Sequence, residues 1–244
     1  MTPRAAPAGL EVAADSLTSA LAAQEGGAMR VELCGGLDNG GLTPSFGSIA
    51  LAREHLRIPL HVLIRPRAGD FVYSPLEIEA MRRDIEQCVR LECDGIVVGA
   101  LTPSGEVDLV TMRALIEAAG SLSVTFHRAI DVSRDPLCAL EDVAALGCAR
   151  VLTSGASATA IEGAGLIAEL VYRAGERLVV MPGAGIDEHN LGPLRAATGA
   201  REFHASARSP AQGAAPFLPG LDAAVPRTDA ARVRRMAAML HGGG

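Results

Sequence analysis

With 244 residues, a formal charge of −6, and 49% hydrophobic and 20% charged residues, the chain has the make-up of one sizeable globular domain and not of a disordered protein. Aromatic residues are only 3%, with no Trp, and the balance is acidic, which excludes a surface built to stack bases or neutralise a phosphate backbone, so no nucleic acid is expected as partner. No run reaches the roughly 20 apolar residues that span a bilayer, so no membrane is expected, and MTPRAAPAGLEVAADS lacks the apolar centre of a secretory signal; with five cysteines and no CxxC pair, reduced thiols in a cytoplasmic protein are expected.

Strand-like apolar runs recur along the whole chain. The first is LEVA (10–13), then RVELC (30–34) and LHVLIR (60–65), the last ending in two arginines around a proline, RPR. The segment SPLEIEAMRRDIEQCVRLE (74–92) carries Leu76, Ile78, Met81, Ile85 and Val89 near helical spacing, with Ser74-Pro75 as its start. DGIVVGA (94–100) is the fourth run, followed by a helical DLVTMRALIEAAG (108–120) with Gly120 at its end. LSVTFHR (122–128) is the fifth, and DPLCALEDVAALG (135–147) starts a helix with Asp135 as cap and Pro136 in the first turn. RVLTSG (150–155), RLVVMPG (177–183) and REFHAS (201–206) complete eight runs. A Pro/Gly-rich stretch, 208–226, reads as a long loop before a closing helix capped by Thr228 or Asp229.

The runs start about 20 to 34 residues apart, the size of one βα unit. Eight such units predict a single-domain (β/α)8 TIM barrel over residues 9–241, with 1–8 as a disordered tail. An open doubly wound sheet is the rival, but no GxGxxG follows the first strand.

In such a barrel, chemistry sits at the C-terminal strand ends. Glu11 and Glu32 lie two residues before the ends of the first two runs, and a carboxylate within a short apolar strand needs a cation or a proton nearby. Arg65 and Arg67 follow the third run, with Asp70 beyond, and two guanidiniums at one strand end suggest that an anion is held there. His127 and Arg128 end the fifth run, with Asp131 in the loop after it; Ser154 ends the sixth; Gly183 and Gly185 follow the seventh; Glu202, His204 and Ser206 share one face of the eighth. Two sub-sites follow. Gly183, Gly185, Ser154 and Ser206, with Arg65 and Arg67, are the expected cradle for a small anionic ligand. Glu11, Glu32, Arg65, Arg67, His127 and His204 form a candidate catalytic cluster for acid–base work, or alternatively a self-neutralising network holding the barrel mouth. Cys34 is the one cysteine at a C-terminal strand end.

These strand-end motifs, in order, resemble the CutC family, named for copper homeostasis: LEVAADSLTSALAAQEGGAMRVELCGGLDNGGLTPSFG, IPLHVLIRPRAGDFVYS, DGIVVGALTPSGEVD, VTFHRAIDV, LTSGASATAIEG, VMPGAGI and EFHASAR. The resemblance covers nearly the whole chain except 209–227, and implies a TIM barrel, a homo-oligomer and cytoplasmic Cu(I) handling. Cu(I) prefers thiolate and thioether ligands, which makes Cys34 the candidate metal ligand, with His127, His204 or Met181 as further donors. The family has cysteine in both its EVC and ELC motifs, whereas here the first is Ala13. Three functions are therefore in play: copper handling through Cys34, an enzyme for a small phosphorylated or carboxylated substrate, or an oligomeric scaffold.

Overall fold

Each of the eight apolar runs forms one strand; the first extends one residue beyond its run at each end, and the other seven are shorter than theirs. The strands are β1 (Gly9–Ala14), β2 (Arg30–Leu33), β3 (Leu60–Leu63), β4 (Gly95–Val98), β5 (Ser123–Phe126), β6 (Arg150–Thr153), β7 (Val179–Pro182) and β8 (Glu202–Ala205) in a computed structural model that describes residues 8–209 and 226–241. They pair in parallel in the order β7-β6-β5-β4-β3-β2-β1-β8, and β7 lies beside β8, so the sheet is a nearly closed barrel. Helices α1 (Leu17–Glu25), α2 (Phe46–His55), α3 (Pro75–Arg90), α4 (Leu109–Ala119), α5 (Pro136–Ala145), α6 (Ala164–Ala174) and α7 (Leu191–Thr198) follow the first seven strands. After β8 comes a short antiparallel pair, β9 (Arg208–Ser209) with β10 (Arg227–Thr228), and then α8 (Ala230–His241). All but Ala8 of the expected tail, and most of the expected 208–226 loop, lie outside the described residues; Ala8 packs against the core.

The helices start where their caps place them. Ser74 accepts from the Glu77 amide while Glu77 bonds back to the Ser74 amide, with Pro75 in the first turn of α3. Asp135 accepts from the amides of Leu137 and Cys138 at the start of α5. Asp229, not Thr228, accepts from the amides of Ala231 and Arg232 at the start of α8.

Alternation along the strands sorts the side chains into two environments. Leu10, Val12, Val31, Leu33, Val62, Ile96, Val124 and Phe126 pack outward against the helices in one continuous apolar core. The inward set carries the barrel's buried charges among smaller apolar groups such as Ala13, Leu63 and Val97. Arg30 reaches from β2 to both Glu11 on β1 and Glu202 on β8, the latter at 2.7 Å. Glu202 also accepts from Arg150 of β6 at 2.7 Å, and Arg150 continues to the Ser123 hydroxyl at 3.1 Å. Glu11 is wholly buried and Arg30 nearly so. Met181, considered as a soft metal donor, instead accepts from the Arg30 guanidinium at 3.5 Å. His61, on β3, also points into this interior and is buried.

A buried ion pair is strongly destabilised when only one partner is removed, because the other charge stays buried alone. Arg30→Met therefore should lower the unfolding free energy by about 3–5 kcal/mol. Urea titration of the variant against wild type checks this; an unchanged midpoint would mean that the charges are not held together as described.

Candidate functional site

The C-terminal strand ends surround a cavity of about 530 Å³. Its walls include Ala13, Glu32, Cys34, Arg65, Phe71, His127, Arg128, Asp131, Gly185, His204, Ser206 and Arg208. That volume suits a small molecule and no polymer.

One side of the mouth is a carboxylate–imidazole chain. The register that sets Glu11 beside His204, and Ala13 beside Glu32, brings these inward positions together. Glu11, fixed from below by Arg30, faces His204 Nδ1 through Oε1 at 2.8 Å, and His204 Nε2 lies 3.4 Å from Glu32 Oε2. Burial would push the Glu11 carboxyl up, but Arg30 and then His204 outweigh it and hold it well below the usual carboxylate range. Burial pushes Glu32 up, helped by the neighbouring Glu11, to about 7. Burial alone would push His204 down; Glu32 and Glu11 overcome it and raise the imidazole above its ordinary value. One oxygen or nitrogen from each of Glu11, Glu32 and His204 lies within 4.8 Å of the others, a spacing that a cation could use. Arg30 already balances Glu11, and His204 turns one ring nitrogen to each carboxylate, so these groups satisfy one another.

The other side of the mouth presents donors. Arg65 gives its guanidinium to three backbone carbonyls, those of Asn39 (3.1 Å), Gly41 (2.9 Å) and Gly69 (2.9 Å), and among the described residues no carboxylate pairs with it. Its Nε is buried without a hydrogen-bond partner. His127 accepts the Ala129 amide on Nδ1 at 3.2 Å, which places the ring proton on Nε2, and Nε2 is likewise buried and unpartnered. Burial, with Arg65 next, pushes His127 down to about 3, so the ring is neutral. Phe71 lies against both, its ring centroid 4.7 Å from that of His127 and 5.2 Å from the Arg65 guanidinium carbon. Gly99 makes room for the imidazole: a Cβ there would stand 2.6 Å from His127 Nδ1.

The other expected residues take different places. Arg67 does not line the cavity; it bonds Glu77 at the start of α3, Asp70 and the Val72 carbonyl. Ser154 also turns away, because its amide and hydroxyl both bond Asp131, whose carboxylate also takes the Thr153 hydroxyl and the Ala156 amide. The anion in that turn is the protein's own. Gly183 is not in the cavity wall, and a Cβ on it would meet Leu152 and His204. Gly185 and Ser206 do line the cavity, Gly185 at φ +70°. Cys34 lines it too, buried against Leu63 and Val97, with its thiol donating to the Ala14 carbonyl at 3.6 Å. Burial, then Glu32 and Asp15, push that thiol far up. The residues that reading by sequence did not single out are Arg30, Arg150 and Phe71. For Arg30 the signal was present, since it shares the inward face of β2 with Glu32.

The buried histidines and Glu32 give the fold a pH signature. His61, pushed down by burial to about 4, and His127, to about 3, bind protons more readily in the unfolded chain, so stability rises as pH climbs from about 4 to 6.5. Glu32, raised to about 7, holds its proton longer in the folded chain, so its contribution is lost from about pH 4.5 to 7 and offsets part of that rise, and His204, also raised, adds a fall above 6.5. Urea unfolding across pH should show a maximum near 6.5, and Glu32→Gln should steepen the rise between about 4.5 and 6.5. A rise unchanged in that variant contradicts the assignment.

Comparison with known proteins agrees with this architecture. The family model of the CutC family matches residues 8–209. A family protein CutC of Xanthomonas campestris pv. campestris (strain 8004) is 65% identical over 95% of this chain and 98% of that one. A namesake from Xylella fastidiosa (strain Temecula1) is 62% identical over 97% of this chain and 90% of that one. The crystal structure of CutC from Streptococcus agalactiae, whose name links it to copper homeostasis, superposes with a TM-score of 0.78 at 35% identity, covering 82% of this chain and 98% of that one. Phosphoribosylanthranilate isomerase of Thermotoga maritima, at 12% identity and a TM-score of 0.59, shares the fold alone. On the strength of the family match and the identity to its members, this chain belongs to the CutC family.

Proposed function

We propose that the protein is an enzyme that binds a small anionic, oxygen-rich substrate at the barrel mouth and works on it by proton transfer. One observation carries this reading. Two buried donors without partners, Arg65 Nε and His127 Nε2, belong to residues that line the cavity, which also holds the Glu32–His204 pair. A buried donor without an acceptor is unfavourable by roughly 1–3 kcal/mol, and two in one cavity wall are explained by an acceptor that arrives with a ligand. Arg65 also brings a positive charge that no carboxylate balances among the described residues, which favours an anion. Arg128 and Arg208, by contrast, are paired with Asp131 and Asp38.

Cu(I) capture by Cys34 is the reading that the family's copper association carries, and it has weaker support. The thiol reaches the cavity, but burial disfavours its thiolate, and no second thiol or thioether is found in the described cavity wall. Ala13 stands in that wall where the family has its other cysteine.

The two readings separate in one pair of titrations. Inorganic phosphate followed by NMR should perturb resonances of the mouth, and Arg65→Ala should weaken that binding by about tenfold or more, the loss expected for a charge-assisted hydrogen bond, while the domain stays folded. Phosphate affinity unchanged in a folded Arg65→Ala would overturn the enzyme reading. Tight one-to-one Cu(I) binding against a competing chelator, abolished by Cys34→Ser, would favour the copper reading instead.

A further inference from the structure

A pocket that binds an anion need not do chemistry, but the two walls of this one are chemically unequal. On one wall, His127 is a neutral imidazole whose tautomer is fixed by the Ala129 amide, so its Nε2–H can donate but does not readily give up its proton. A neutral imidazole N–H is suited to a carbonyl oxygen that becomes an enolate, because donor and developing anion then approach each other in acidity without a full charge being needed beforehand. Arg65 Nε–H supplies a second donor on the same wall, and the Phe71 ring packed on both keeps bulk water from them.

Glu32 stands on β2, three strands from His127 and one from Arg65 in the barrel order, and lines the same cavity. It is 5% exposed, and His204 beside it is held from behind by Glu11. Glu32 lines the cavity as a carboxylate steadied by an imidazole, within reach of a bound molecule, which is the geometry a general base requires. Donors for an oxyanion and a base lining one cavity are the two halves of a proton abstraction next to a carbonyl group.

Building on the binding reading above, we infer that the pocket enolises its substrate: Glu32 takes a proton from the carbon beside a carbonyl of a small phosphorylated or carboxylated compound, while His127 and Arg65 hold the carbonyl oxygen. The C–H bond breaks and its proton moves to the Glu32 carboxylate. The electron pair left behind forms the C=C bond, and the carbonyl π pair moves to the oxygen, where the two N–H groups receive it. Return of the proton to the same carbon re-forms the carbonyl and gives exchange or epimerisation. No electron acceptor or second reactant is consumed. His204 acts as a positioning residue, orienting Glu32 through Nε2.

The test is hydrogen exchange in deuterium oxide, followed by proton NMR, with pyruvate, dihydroxyacetone phosphate and fructose 6-phosphate as probes. Wild-type protein should accelerate loss of the α-proton signal of at least one probe above the buffer rate. Glu32→Gln should reduce that acceleration by about 100-fold or more, and His127→Gln by a similar factor, the sizes usual for a lost base and a lost oxyanion donor. Saturation-transfer NMR on the same samples should show the probe still bound to Glu32→Gln. Binding without exchange in wild type, or exchange equal in Glu32→Gln, overturns the enolisation and leaves the binding reading standing. No exchange and no binding of any probe overturns it too, and loss of phosphate binding besides would take the binding reading with it.

Discussion

The contact on which the site depends is the one between Arg30 and Glu11, at the centre of the barrel. Small barrels fill their interior with side chains, usually branched aliphatic ones, and this one places an ionic chain there instead. Charges taken out of water are tolerated only with close partners, and the chain supplies them at each step from Arg150 through Glu202 and Arg30 to Glu11. The consequence reaches the mouth. Glu11 is kept ionised by Arg30, so it holds His204 by Nδ1 and leaves Nε2 turned to Glu32. The acid–base character of the mouth is therefore set by the residues beneath it.

Two histidines show how the same side chain is driven to opposite states by its surroundings. His204 lies between two carboxylates, and their attraction overcomes burial and favours the imidazolium. For His127, burial and the charge of Arg65 act in the same direction, toward the neutral ring. The mouth is thus divided into a side that can take a proton and a side that can only donate hydrogen bonds. Such a division has no role in a soft-metal site, where two thiolates would be expected side by side, and Ala13 and the protonated Cys34 thiol offer neither.

Much of this arrangement was legible in the chain itself. Spacing and caps place all eight strands, and the period of two along β1, β2 and β8 puts Glu11, Glu32 and His204 on inward faces. Where reading by sequence went astray, the cause lies beyond local pattern. The RPR segment suggests two arginines on one anion, but β3 ends at Leu63, so alternation no longer governs the residues after it. Arg65 turns inward to backbone carbonyls and Arg67 outward to the start of α3. Ser154 looked available for an anion until Asp131, from the preceding βα loop, was found to fill that role. Nothing local in sequence could show that the Ala129 amide fixes the tautomer of His127, nor that Phe71 would settle against it.

The most direct measurement of the central claim is the protonation state of the two imidazoles, read by long-range nitrogen–proton NMR of the histidine side chains at neutral pH. The ionic interior predicts His204 protonated on both nitrogens, and His127 neutral with its proton on Nε2. A neutral His204, or a His127 that carries its proton on Nδ1 or is charged, would contradict the account at its base.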